Sequence, residues 1–194
     1  MATRTVSLVS FRRIPNQRAH FAIFIPSAAD PQKGTLIHVV GAPMVGYSLE
    51  FKRNYAPATT QQPHTMTPIG HVSAQHVIDS SNAQESVDST PRCNVETVAA
   101  RVAPPRISQN FMAPVNDVSC IYASFVPNMV GAVSNNQPQT TNKRCQEWTM
   151  EYVRELVGVG YIGPEAIQAV NSRRDPPNHG IGLQPAGRGR GLGA

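Results

Sequence analysis

At 194 residues the chain can bury one real core but is short for two ordinary domains. Sparse aromatics (6%), 17 Pro, 14 Gly and only 15% charged residues point to a modest core carrying long loops. The formal charge is +5, but its mostly Arg carriers are scattered, which disfavours a dedicated nucleic-acid surface.

The opening segment, MATRTVSLVSFRRIPNQR, has a transit-peptide-like composition, with no acid before Asp30. Alternating Val6 and Leu8, followed by Phe11, instead predict a first strand over 4–11. Further strands are predicted at 19–26 (AHFAIFIP) and 35–41 (TLIHVVG), separated by the turn-rich SAADPQKG, which favours an antiparallel hairpin. In 47–55 (YSLEFKRNY), Tyr47, Leu49, Phe51 and Arg53 share the buried parity, and Ser48, Glu50 and Lys52 the solvated one. TPIGHVSAQHVI adds a strand, whereas 79–92 is polar and reads as loop. VETVAARV, 95–102, has helical spacing and stops at Pro104-Pro105; 106–140 reads as mostly loop.

The clearest helix starts near residue 142. Thr141 or Asn142 is expected to cap it, because either side chain can accept from a helical N–H left without a partner. Cys145, Trp148, Tyr152 and Leu156 then share one face, and Gly158 and Gly160 end the helix. Pro164 opens a second helix, PEAIQAVNSRR. Residues 173–194 read as a disordered Arg/Gly/Pro tail; its GRGRG run is only a very short RGG-type segment. The expectation is an α+β fold over 1–172, a small antiparallel sheet against a C-terminal helix, with an irregular middle at 79–140.

Three cysteines, Cys93, Cys120 and Cys145, form no CxxC pair and have no His at ligand spacing. A disulfide framework is therefore excluded, and no metal or cofactor is expected. No run of 18 apolar residues offers a membrane span, and an intracellular, cytoplasmic setting is the default. Cys145 stands out because helix N–H groups and the macrodipole favour a thiolate, with Lys143 and Arg144 adding positive charge. The bland alternative is a buried thiol sharing a stripe with Trp148 and Tyr152.

A nucleophile needs a base. Of His20, His38, His64, His71, His76 and His179, the last lies in the tail and His64 in a Pro/Thr-rich loop. His20 and His38 fall on neighbouring strands, where they can approach each other, and Glu50 on the next strand can orient an imidazole.

The order His, strand, His, long middle, then Cys opening a helix with an aromatic three residues on resembles the permuted papain-like families of the lecithin–retinol acyltransferase type. That resemblance implies His20 and His38 from AHFAIFIP and TLIHVVG, and Cys145 from RCQEWTMEYV, as the catalytic set. The acyltransferases carry an Asn-Cys-Glu-like motif, whereas here Lys143-Arg144 separate Asn142 from Cys145 and Gln146 follows. RRIPNQRAHFAIFIPS, KGTLIHVVGAP, GYSLEFKRNY and CQEW also resemble small fungal proteins of unassigned function, some near secondary-metabolite genes. The functions in play are a thiol acyltransferase or hydrolase for a small acyl, amide or ester metabolite, and a non-catalytic scaffold or binding protein for another protein. RNA binding is the weakest, because no aromatic-plus-basic strand motif is present.

Overall fold

The computed structural model describes residues 2–80, 84–108, 112–115 and 142–180. Six strands, β1 (Thr3–Phe11), β2 (His20–Pro26), β3 (Gly34–Ala42), β4 (Gly46–Tyr55), β5 (His64–Ser73) and β6 (Ser86–Asp88), form one sheet in the order β5-β1-β2-β3-β4-β6. Every neighbouring pair is antiparallel. The helices are α1 (Asn94–Arg101), α2 (Cys145–Gly158) and α3 (Glu165–Asn171). The protein is thus α+β.

The two parities of the strands build two faces. Leu8, Phe21, Ile23, Ile37, Val39 and Phe51 point to the helix layer and pack with Trp148, Tyr152, Val153 and Leu156 of α2. Val9, Phe11, Ala22, Phe24, Leu36 and Tyr55 form a smaller cluster on the other face. Tyr55 would continue the parity of Phe51 and Arg53; Asn54, at φ 51°, interrupts the pleat and turns it over. The core aromatics are satisfied as well as buried: Trp148 Nε1 donates to the Val102 carbonyl at 3.0 Å, and the Tyr152 hydroxyl to that of Val95 at 3.0 Å.

Several boundaries differ from the sequence expectation. His64 is not in a loop. It begins β5 opposite Phe11, whose ring lies 5.6 Å from its own, and Ala74–His76 is a single 3-10 turn. The polar stretch before α1 contains β6, held because Ser86, Val87 and Asp88 pair with Arg53, Lys52 and Phe51. Neither Thr141, outside the described residues, nor Asn142 caps α2. Asn142 donates its amide to the Ala113 carbonyl, and Arg144 takes the cap position with its own N–H donating to Glu147 Oε2 at 3.1 Å. At the far end, Gly160 (φ 75°) allows Tyr161 N–H to reach the Leu156 carbonyl and Gly160 N–H that of Val157, both at 2.9 Å. This is a Schellman closure.

Candidate functional site

The pairing of β2 with β3 spans Pro26↔Gly34 to Ile23↔Ile37 and goes no further. The start of β2 stays with β1 through Phe11↔His20, and the end of β3 stays with β4 through His38↔Glu50. The sheet therefore splits between its second and third strands. His20 and His38 bridge the split on the face away from the helices, His20 Nε2 lying 2.8 Å from His38 Nδ1. His38 Nε2 in turn lies 3.1 Å from Glu50 Oε1. An ionised carboxylate can only accept, so His38 Nε2 carries the proton toward Glu50 and His38 Nδ1 is the bare acceptor. His20 then donates from Nε2, and its Nδ1 keeps a lone pair. Glu50 is half-buried on the solvated parity, and that is the face on which the imidazoles sit.

Both imidazoles are hard to protonate. Burial, with Lys52 second, lowers His20 to about 4; burial, then His20 and Lys52, lowers His38 to about 3. A histidine with a depressed native pKa binds protons more readily when unfolded. Its stabilising effect is complete above the unfolded value of 6.5 and is lost as pH falls toward the native value. Between neutrality and pH 5, His38 alone is expected to cost on the order of 2 kcal/mol, or about 1.5 pH units at 1.36 kcal/mol each. Urea unfolding should show a lower midpoint at pH 5 than at pH 7, and His38→Gln should flatten that dependence.

Cys145 opens α2, as its spacing predicts, but its surroundings differ from those a lone helix terminus offers. Its Sγ lies 3.8 Å from the Ala19 carbonyl, and among the described residues no hydrogen bond joins it to His20 or His38. The thiol packs with the helix-side core, whereas the imidazoles lie on the opposite face, so the structure brings the two histidines together and leaves the sulfur beside the backbone that carries one of them. Burial pushes its pKa up; the Phe21 N–H and Arg18 oppose this, and Glu147 adds to it. Burial is thus the main force against the thiolate that a helix start favours, and Glu147, two residues on, adds to it. Lys143, counted on for positive charge, pairs with Glu151 instead. Cys93 is a buried free thiol with a raised pKa, from burial first, and Cys120 lies outside the described residues.

The polar cluster around α2's first turn was not foreseen. Glu147, fully buried, accepts from Arg18 at 2.7 Å and Arg174 at 3.0 Å. Gln146 donates to the Ala19 carbonyl at 2.9 Å and to Asp175 Oδ2 at 2.7 Å, and accepts from Asp175 N–H at 2.9 Å. Asp175 also accepts from the Ala19 N–H at 2.8 Å and pairs with Arg12. Burial raises the Asp175 carboxyl, but the Ala19 N–H, Arg12 and Gln146 together outweigh it and hold the pKa below the ordinary range. Residues 173–180, expected to begin a disordered tail, are thus tied across the start of β2; residues 181–194, with GRGRG, lie outside the described part. The sequence clue was faint: one acid in RRDPPNHG and one Arg two residues before His20.

The other side of the split opens into a cleft of about 500 Å³, lined by His20, His38, Lys52, Arg13, Arg18 and neighbours. His71 and His76 are away from it: His71 faces Thr5 across the sheet edge, and His76 stacks on Tyr161 at 4.0 Å. His179 lies 3.1 Å from both Arg12 Nη1 and the Pro15 carbonyl. No group of three or more His, Cys, Asp or Glu among the described residues has metal-site geometry, and none of their helices is long and apolar enough to cross a membrane.

Fold and site together define an antiparallel α+β protein with a carboxylate–imidazole–imidazole chain over a split in its sheet and a cysteine-led helix beneath it. The chain belongs to the family described as a family of unknown function (DUF6540), which matches residues 6–163 and so takes in the sheet, α1 and α2. No curated protein and no solved structure matches the chain.

Proposed function

We propose that the protein is a thiol-dependent acyltransferase or hydrolase acting on a small acyl, amide or ester metabolite. The observation that carries this reading is the relay from Glu50 through His38 to His20, which leaves a lone pair on His20 Nδ1 as the proton acceptor. Cys145 Sγ, against the carbonyl of the residue before His20, is the nucleophile within reach of that strand. In the reaction the His20 side chain, which rests on the face opposite the thiol, must turn through the open split to take the proton of Sγ, and the sulfur then attacks the substrate carbonyl carbon. The tetrahedral adduct collapses to a thioester as its C–O or C–N bond breaks, and the departing alcohol or amine takes the proton back from His20. Water or an acceptor then opens the thioester and restores the thiol. Backbone N–H groups of the first turn, which have no acceptor within the helix ladder, are the candidate oxyanion donors. The permuted papain-like resemblance supports the roles of Cys145, His20 and His38. The likeness of KGTLIHVVGAP and CQEW to small fungal proteins supports a substrate from secondary metabolism.

A second reading, a scaffold or binding protein of the same fold with no chemistry at Cys145, is favoured by two observations. The sulfur already has a partner in the Ala19 carbonyl, and burial opposes its ionisation. Iodoacetamide labelling followed by peptide mass spectrometry separates the two, with buried Cys93 as internal reference. Catalysis predicts that Cys145 labels at least tenfold faster than Cys93 near pH 7, and that His20→Ala abolishes the difference. Equal, slow labelling of both thiols, unaffected by His20→Ala, would leave the scaffold reading standing.

A further inference from the structure

The cleft over the imidazole pair has a one-sided charge. None of its lining residues is acidic, whereas Arg13, Arg18 and Lys52 all contribute to it, with the amides of Gln17 and Gln62. These three cations are not equivalent. Arg18 is committed: its guanidinium donates to Glu147, Gln146 and the Pro176 carbonyl, and only 6% of its side chain is exposed. Lys52 has only weak partners among the described residues: Glu50 Oε1 at 3.9 Å, which itself receives the His38 N–H, and the Tyr55 ring, whose centroid lies 6.0 Å from Nζ. Arg13 is exposed and makes no hydrogen bond or ion pair among the described residues. Two cations with donors to spare thus face a concavity of about 500 Å³, in the range that holds a small metabolite.

We infer that this cleft binds the anionic group, a carboxylate or a phosphate, of a small metabolite, held by Lys52 and Arg13 with the imidazole pair as the floor. Lys52 and Glu50 stand side by side on one parity of β4, so one strand delivers the cation to the cleft and the carboxylate to the relay. The charge of Lys52 is felt by both rings, since it is one of the causes that depress them. An anion seated there exchanges its water for a fixed ammonium and a planar guanidinium, the pairing in which Arg is strongest. The inference deepens the proposed reaction by naming the charge of its substrate. It rests on that reading for the relay as the reacting end, and not on Cys145 being reactive.

The test is a titration of the full chain with inorganic phosphate, with butyrate and with uncharged butyramide, at constant ionic strength and pH 7. The readout is the ring C–H NMR signals of His20 and His38. The expected result is a saturable shift of both signals with one or both anions and none with butyramide. The dissociation constant should rise at least fivefold in Lys52→Gln and in Arg13→Gln and stay unchanged in Cys145→Ser. Saturation by phosphate alone or by butyrate alone identifies the source of the charge. A response that does not saturate, equals that to butyramide, or survives both cation variants overturns the inference. Anion binding with an unreactive Cys145 would sink only the thiol chemistry; a reactive Cys145 without anion binding would sink only this inference.

Discussion

Arg53→Ala is expected to lower folding stability by about 3–5 kcal/mol, because it strands a buried carboxylate. Arg53 and Glu96 are each 1% exposed and paired with each other, and the Arg53 guanidinium also donates to Asp88 at 3.0 and 3.3 Å and to the Thr90 carbonyl at 3.0 Å. Its carbon Cζ sits 4.9 Å from the Phe51 ring centroid. This one side chain joins β4 to β6 and to α1, so its loss removes packing and partner together. Urea unfolding gives the measurement, as a lower midpoint at unchanged slope. The double variant Arg53→Met, Glu96→Leu should recover most of the loss, since neither charge of this pair is then left buried. A drop below about 1 kcal/mol in the single variant would mean that Glu96 finds water or another partner once Arg53 is gone.

Glu147→Gln is expected to act on both stability and reactivity. Glu147 is buried and holds two guanidinium groups, those of Arg18 and Arg174, so removing its charge leaves positive charge in a dry site and costs about 3 kcal/mol. The same change removes one cause that raises the Cys145 pKa while keeping Arg18, which lowers it. The thiolate fraction at pH 7 therefore rises, and iodoacetamide labelling of Cys145 should accelerate severalfold in the folded protein. Arg18→Gln moves the balance the other way and should slow it. Labelling rates unchanged in both variants would show that burial alone, and not this charge cluster, governs the sulfur.

Much of the sheet was legible because alternation is local. Val6 and Leu8, Phe21 through Ile25, and Phe51 with Arg53 announce their faces by spacing alone, and Arg53 correctly reads as buried despite its charge. The approach of His20 to His38 follows from hairpin geometry, and Glu50 reaches His38 because the two are directly paired. What spacing could not reveal is where the sheet stops pairing. The split between β2 and β3 has no signature in either strand, yet it is where the two imidazoles meet. The cap of α2 was misread for a similar reason. Asn142 has the right chemistry, but its amide is drawn to the Ala113 carbonyl, a partner 29 residues away. Asp175 likewise binds far from its place in the sequence, through Ala19, Arg12 and Gln146.

The order of elements along the chain has a consequence for biosynthesis. All six strands are complete by Asp88, but α2, which covers their oily side, begins only at Cys145. At ~5–20 residues per second, a ribosome needs roughly 3–11 s to reach α2, and of the described residues between, α1 is the only helix to cover the sheet. Nascent chains halted before α2 emerges would therefore present a sticky surface, the kind of intermediate that recruits holdase chaperones.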